Sequence, residues 1–131
     1  MFQRRLNHLR VGVGYRCLVL AVSSREENHV ITVCIRYTID IHKHAEFEQY
    51  ARHWPEPIQR CGGELLGYFL PTRICGATNT AYALINFPSL AAYEKYREAL
   101  MEDSGAKENF AFADRTACIL IEERSILQPV T

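Results

Sequence analysis

The sequence has no long apolar run: its longest uncharged apolar stretch, Cys17 to Val22, is far too short to span a bilayer. It has no excess of charge of either sign. The 15 Lys and Arg balance 15 Asp and Glu, so the clustered positive charge that nucleic acid or an anionic membrane demands is missing. It has no CxxC pair: Cys17, Cys34, Cys61, Cys75 and Cys118 are odd in number and widely spaced. That excludes a zinc ribbon or a disulfide framework and points to reduced thiols in the cytoplasm. A Gly-rich phosphate loop is also missing, because Gly12-Val13-Gly14 lacks a third glycine and a surrounding strand–helix unit. With no G-x-S-x-G elbow either, nucleophilic hydrolysis has no visible support, and no cofactor is expected. What is present is 131 residues, 48% of them hydrophobic, enough for one core.

Met1 to His29 differs from the rest. It holds five arginines (Arg4, Arg5, Arg10, Arg16, Arg25) against Glu26 and Glu27, a net +3 that leaves −3 for the remainder. Arg16 interrupts the apolar core a secretory signal would need; an Arg-rich, acid-poor start fits an organellar transit peptide. The plainer reading is a basic extension from a start codon placed too early. The domains are therefore 1–29, extension, and 30–131, the folded unit. Cys17–Val22 retains the composition of an edge strand.

Val30 to Ile39 alternates cleanly, with Ile31, Val33, Ile35, Tyr37 and Ile39 on one face and Thr32, Cys34, Arg36 and Thr38 on the other. Asp40 is placed to cap a helix whose stripe is Phe47, Tyr50, Ala51, Trp54, Ile58 and Cys61. Pro55 and Pro57 should bend that helix, and Gly62-Gly63 should end it. Glu64–Leu70 and Thr80–Phe87 read as strands joined by a loop. Ser89 caps a helix over Leu90–Met101, Asp103-Ser104-Gly105 breaks the chain, a short helix follows over Lys107–Ala113, and Thr116–Arg124 is the last strand. The order βαββαβ is the ferredoxin-like α+β plan: a four-stranded antiparallel sheet with both helices on one face and the first and third strands at its centre.

The helices leave the other sheet face bare. That face should carry Cys34, Tyr82, Leu84 and either Cys118 or Ile119, too apolar for water, so a homodimer closing sheet to sheet into an α+β barrel is expected. Arg36 lies mid-strand on the same face and must pair with Glu122 or Glu64, with a carbonyl, or with an acidic ligand. Tyr82 and Asn86 alternate onto its face, and Tyr68 is placed with them. The candidate pocket is thus Arg36, Cys34, Tyr68, Tyr82 and Asn86, suited to a small, partly aromatic molecule between the sheets, although tyrosines that merely fill a barrel would look alike. Cys34 reads more simply as a small apolar filler than as a reactive thiol. His42 and His44 point roughly 200° apart on a helix and cannot share an ion with His53 easily, so no metal site is expected. Glu46/Glu48 and Glu94/Glu98 lie beside Lys43, Arg52, Lys95 and Arg97, as solvated helix faces do.

RYTID at 36–40, AEFEQYARHW at 45–54, GGELLGYFLP at 62–71, NFPSLAAYEKYR at 86–97 and FAFADRT at 110–116 together resemble the NIPSNAP family. The resemblance covers about 100 residues, essentially Val30 to Val130, and it is specific as an ordered set. It implies a dimeric α+β barrel and an activity that is not settled for the family. One departure is Leu65-Leu66, where close relatives carry polar residues, often histidines; chemistry using those side chains would be absent here. Three functions compete. One is a small-molecule-binding protein; another is a cofactor-independent oxygenase or isomerase of the dimeric α+β barrel type, needing a proton acceptor that no histidine supplies. The third is a non-catalytic interaction scaffold.

Overall fold

A computed structural model describes residues 29–130. The expected Cys17–Val22 strand and, His29 apart, the basic extension lie outside the described residues. The elements are β1 (Ile31–Ile39), α1 (His44–Arg52), α2 (Pro55–Arg60), β2 (Glu64–Phe69), β3 (Thr80–Phe87), α3 (Leu90–Glu102), α4 (Ser104–Thr116) and β4 (Ile119–Leu127). The strands form one antiparallel sheet in the order β2-β3-β1-β4, with β1 and β3 at its centre as expected for the ferredoxin-like plan. Strict alternation in β1 and β3 buries Ile31, Val33, Ile35, Tyr37 and Ile39 together with Ala81, Ala83, Ile85 and Phe87. Against them pack Phe47 and Tyr50 from α1, Trp54 from the joint before α2, and Tyr96 and Leu100 from α3. Among the described residues no helix is long and apolar enough to cross a membrane.

The single bent helix expected from Asp40 to Cys61 is instead two helices. Pro55 and Pro57 offer no N–H to the preceding turn, so the chain stops at Arg52 and restarts with Pro55 as the first residue of α2, a position where the missing donor costs nothing. Asp40 does not cap α1; its carboxylate accepts from the His42 N–H at 2.9 Å in the turn before it. The end of α2 is as expected from Gly62-Gly63. Gly62, at φ +106°, donates to the Gln59 carbonyl while Gly63 donates to the Ile58 carbonyl, the paired bonds that close a helix on a left-handed glycine.

Ser89 caps α3 by accepting from Ala92 N at 3.1 Å. Asp103 then ends α3 and caps α4 at once, accepting from Ala106 N at 2.9 Å. One extended residue therefore suffices as the break, and α4 begins at Ser104 despite Gly105, three residues before the helix expected at Lys107. Ala117 in the left-handed conformation (φ 54°) ends α4, so β4 starts at Ile119 and runs to Leu127 rather than from Thr116 to Arg124. The Arg60 guanidinium grips the Asp103 carboxylate with Nε and Nη2 at 2.8 and 3.0 Å, tying α2 to the α3–α4 corner.

Two outcomes follow from these joints. A Cβ on Gly63 would lie 2.9 Å from Ile58 Cγ2 and 3.0 Å from Ile85 Cγ2, so Gly63→Ala should cost about 1–3 kcal/mol in urea unfolding, the usual price of overpacking. Arg60, and then the Ala106 N–H, hold the Asp103 carboxyl below its ordinary 3.8, at about 2. The charge therefore stabilises the fold above about pH 4 and the contribution fades as pH falls toward 2. Asp103→Asn should lower the urea midpoint near neutrality, and the gap to wild type should close over that acid range.

Candidate functional site

The register sets Arg36 opposite Tyr82, Cys34 opposite Leu84 and Thr32 opposite Asn86, so Cys34, Arg36, Tyr82 and Asn86 do share the face without helices. Asn86 is tied there by the Thr32 hydroxyl, which donates to Oδ1 at 2.6 Å. Arg36 pairs with neither Glu122 nor Glu64. Its neighbour is Glu123 across the β1–β4 ladder, at 3.9 Å, with both side chains more than half exposed. Glu64 lies opposite Asn86, and Glu122 lies on the other face opposite Tyr37.

Tyr68 does not join this group. The register shifts between Leu65, opposite Ile85, and Gly67, opposite Leu84, so Leu66 is an extra residue and every later side chain in β2 changes face. Tyr68 therefore stands opposite Ala83 among the helices, and Phe69 takes the open face opposite Tyr82. Cys118 and Ile119 are likewise not on the open face. Cys118 is fully buried ahead of β4, and Ile119 is opposite Ile39 on the helix side. A second shift at Thr38/Ile39 gives their expected place to Ile121, and Leu127 lies farther along the same face.

The helix side holds what sequence reasoning missed. Ala81 and Ala83 leave the space above β3 empty, and Tyr37 from β1 and Tyr68 from β2 meet across it. Their rings stack 6.0 Å apart and their hydroxyls share a hydrogen bond of 3.2 Å. Phe47, Tyr50 and Trp54 continue the wall edge to face. Burial pushes the Tyr37, Tyr50, Tyr68 and Tyr96 phenols well up, so all four are neutral near neutrality. Facing this wall from β4 are Glu122 and Arg124, whose carboxylate and guanidinium meet at 3.0 Å with about a third of each side chain exposed. Burial raises the Glu122 carboxyl above its ordinary value even with that guanidinium beside it.

These groups line one cleft between the helices and the sheet. It has room for about one water, roughly 20 Å³. Trp54 is 2% exposed, and its Nε1–H, in the same cleft, lies beside the Tyr50 hydroxyl without closing a full hydrogen bond among the described residues. The cleft therefore sets one carboxylate and one cation against aromatic walls. The readable signal was the spacing Glu122, Arg124, Ile126: two charges on the same strand face as an apolar residue. Using it required the register of β4. Among the described residues no three His, Cys, Asp or Glu side chains cluster to hold a metal ion.

The tyrosine pair gives a direct check. Tyr37→Phe or Tyr68→Phe should each cost about 1–3 kcal/mol by leaving the other hydroxyl unpaired. The double variant should cost less than the sum, with a coupling of about 0.5 kcal/mol or more in a double-mutant cycle.

The chain's relatives share this frame. A NIPSNAP family protein of unknown function from Agrobacterium tumefaciens superposes with a TM-score of 0.68 at 21% identity, over 79% of this chain and 90% of that one. A second NIPSNAP family protein from the same organism is 28% identical, with a TM-score of 0.65 over 79% and 88% of the two chains. A proposed antibiotic biosynthesis monooxygenase from Bordetella bronchiseptica, 11% identical, has a TM-score of 0.61 over 79% and 99%, a likeness of fold alone. No curated protein matches the chain. The sequence profile of the NIPSNAP family matches residues 32–131, and on that match the chain belongs to the NIPSNAP family.

Proposed function

We propose that this protein binds a small neutral molecule with an aromatic body and an oxygen-bearing head, in the cleft between its helices and β4. The observation that carries the proposal is the cleft itself, where the Glu122 carboxylate and the Arg124 guanidinium meet beside aromatic rings. With room for about one water, roughly 20 Å³, the cleft suits a carbonyl or hydroxyl head, and the aromatic body would displace part of the lining. A neutral ligand fits the balanced Glu122–Arg124 pair better than an anion, which would meet the carboxylate. This moves the expected ligand from between the sheets to the opposite side of the sheet.

A second reading concerns the open face, and a specific observation favours it. Leu66, Phe69, Tyr82, Ile121 and Leu127 are each 40–53% exposed there, a patch that a second copy would remove from water. In a homodimer so formed, Arg36, Glu123 and Cys34 belong to the interface and not to the ligand site. Free thiols at Cys34, Cys61, Cys75 and Cys118 fit a cytoplasmic home.

Trp54 is the sole tryptophan of the sequence and so reports on its own cleft. Titration with β-tetralone, an aromatic ketone, should quench or shift its emission saturably, with cyclohexanone binding more weakly for want of a ring to stack. No saturation at millimolar β-tetralone would remove the cleft as a binding site. Light scattering during gel filtration should give a mass near twice 15.1 kDa. A stable monomer at micromolar concentration would discard the dimer and leave the cleft reading untouched.

A further inference from the structure

We infer that Arg36 and Glu123 decide which partner the open face accepts: each Arg36 guanidinium meets the partner's Glu123, and this exchange selects a second copy of the chain and sets its orientation. The inference rests on the dimer reading above and goes further by naming the charges that choose the partner. Arg36 and Glu123 stand opposite each other near the middle of β1 and β4. Aromatic and aliphatic side chains surround them on the same face: Tyr82 and Leu84 on β3, Phe69 on β2, Ile121 and Leu127 on β4. Glu64, the other strand charge on this face, lies apart at the start of β2, opposite Asn86.

Within one chain the pair is incomplete. The guanidinium and the carboxylate come no closer than 3.9 Å, beyond hydrogen-bond reach, and 56% and 63% of their side-chain surfaces face water. The apolar residues around them call for a cover, and any cover takes both charges out of water. A buried cation held by one loose contact loses more in hydration than its neighbour returns. An apolar partner would therefore meet a penalty at the centre of the face. A second copy would not.

Two-fold symmetry supplies what is missing. In an isologous interface, whatever one copy offers its partner is offered back. Two copies of this face bring two guanidiniums and two carboxylates together. Arg36 is mid-strand on a central strand, so a two-fold axis through the middle of the patch passes near it. Two guanidiniums alone would repel there. The arrangement that holds them interleaves the carboxylates, with each Arg36 between its own Glu123 and the partner's Glu123. A guanidinium has five N–H donors, enough for a forked bond to one carboxylate and a further bond to the other. A copy turned or slid out of this register sets like charges together, and the same repulsion excludes it.

Charge reversal on the full chain tests this, with native mass spectrometry reading monomer and dimer. Arg36→Glu places two carboxylates at the centre of each copy's face, and Glu123→Arg places two guanidiniums there. Each should weaken its homodimer by about 100-fold or more while its melting curve stays cooperative. Mixing the two variants should give a heterodimer at least about tenfold tighter than either homodimer, because every contact across the interface is again between opposite charges. A pair confined to one chain is like-charged in both variants and gains nothing from mixing, so absence of the heterodimer overturns the inference. Single variants that dimerise like wild type overturn it too, and either result leaves the dimer standing. A monomeric wild type overturns both. Should a reversal fail to fold, Arg36→Gln and Glu123→Gln replace the pair. Each should weaken the dimer about tenfold, and the double variant no more than either alone; additive losses, or none, overturn the inference.

Discussion

Two alanines in the middle of β3 set the terms for the rest of this molecule. Ala81 and Ala83 are fully buried yet too small to fill the layer between sheet and helices, and a close-packed interior does not tolerate the void. Tyr37 and Tyr68 close it from either side and spend their hydroxyls on each other at 3.2 Å. For Tyr68 to be there at all, β2 must change face along its length, which is the work of the extra residue at Leu66. The aromatic wall, the cleft under β4 and the apolar remainder on the open face all follow from that one displacement.

How much of this was legible depended on how local its cause was. β1 and β3 could be read from a period of two because both are central and one-sided. α3 could be read because Ser89 supplies its cap within the same turn. The break between α1 and α2 was half legible: two prolines announce a disruption, but whether the chain bends or restarts depends on packing at Trp54. α4 was underestimated because Gly105 argues against a helix, while the opposing contribution comes from Asp103, held by Arg60 more than forty residues earlier. The β2 bulge was invisible, since Leu65-Leu66-Gly67 has no polar alternation to betray a change of face. Tyr68 was misplaced for that reason alone, while Cys34, Arg36, Tyr82 and Asn86, on regular strands, came together as read.

The two ion pairs of β4 show how differently the two faces of the sheet hold charge. Arg36, mid-strand and cationic, drew attention, yet its contact with Glu123 is 3.9 Å long and solvated, a geometry worth little to stability. Glu122 and Arg124, two residues apart, looked like ordinary charge at the end of a strand. They meet at 3.0 Å on the inner face with two-thirds of their side-chain surface removed from water. Desolvation works against such a pair, and apolar residues at both positions would serve the fold at least as well.

Charges pointing inward from an edge strand discourage pairing with another sheet edge, and β4 is an edge of nine residues. That role asks only for charge. A single lysine at either position would fill it, with its stem on the aromatic wall and its head in water. It does not ask for a carboxylate opposite Tyr37, nor for a guanidinium 3.0 Å from it on the same face. Edge protection thus accounts for charge on β4 but not for a carboxylate and a guanidinium paired against the aromatic wall.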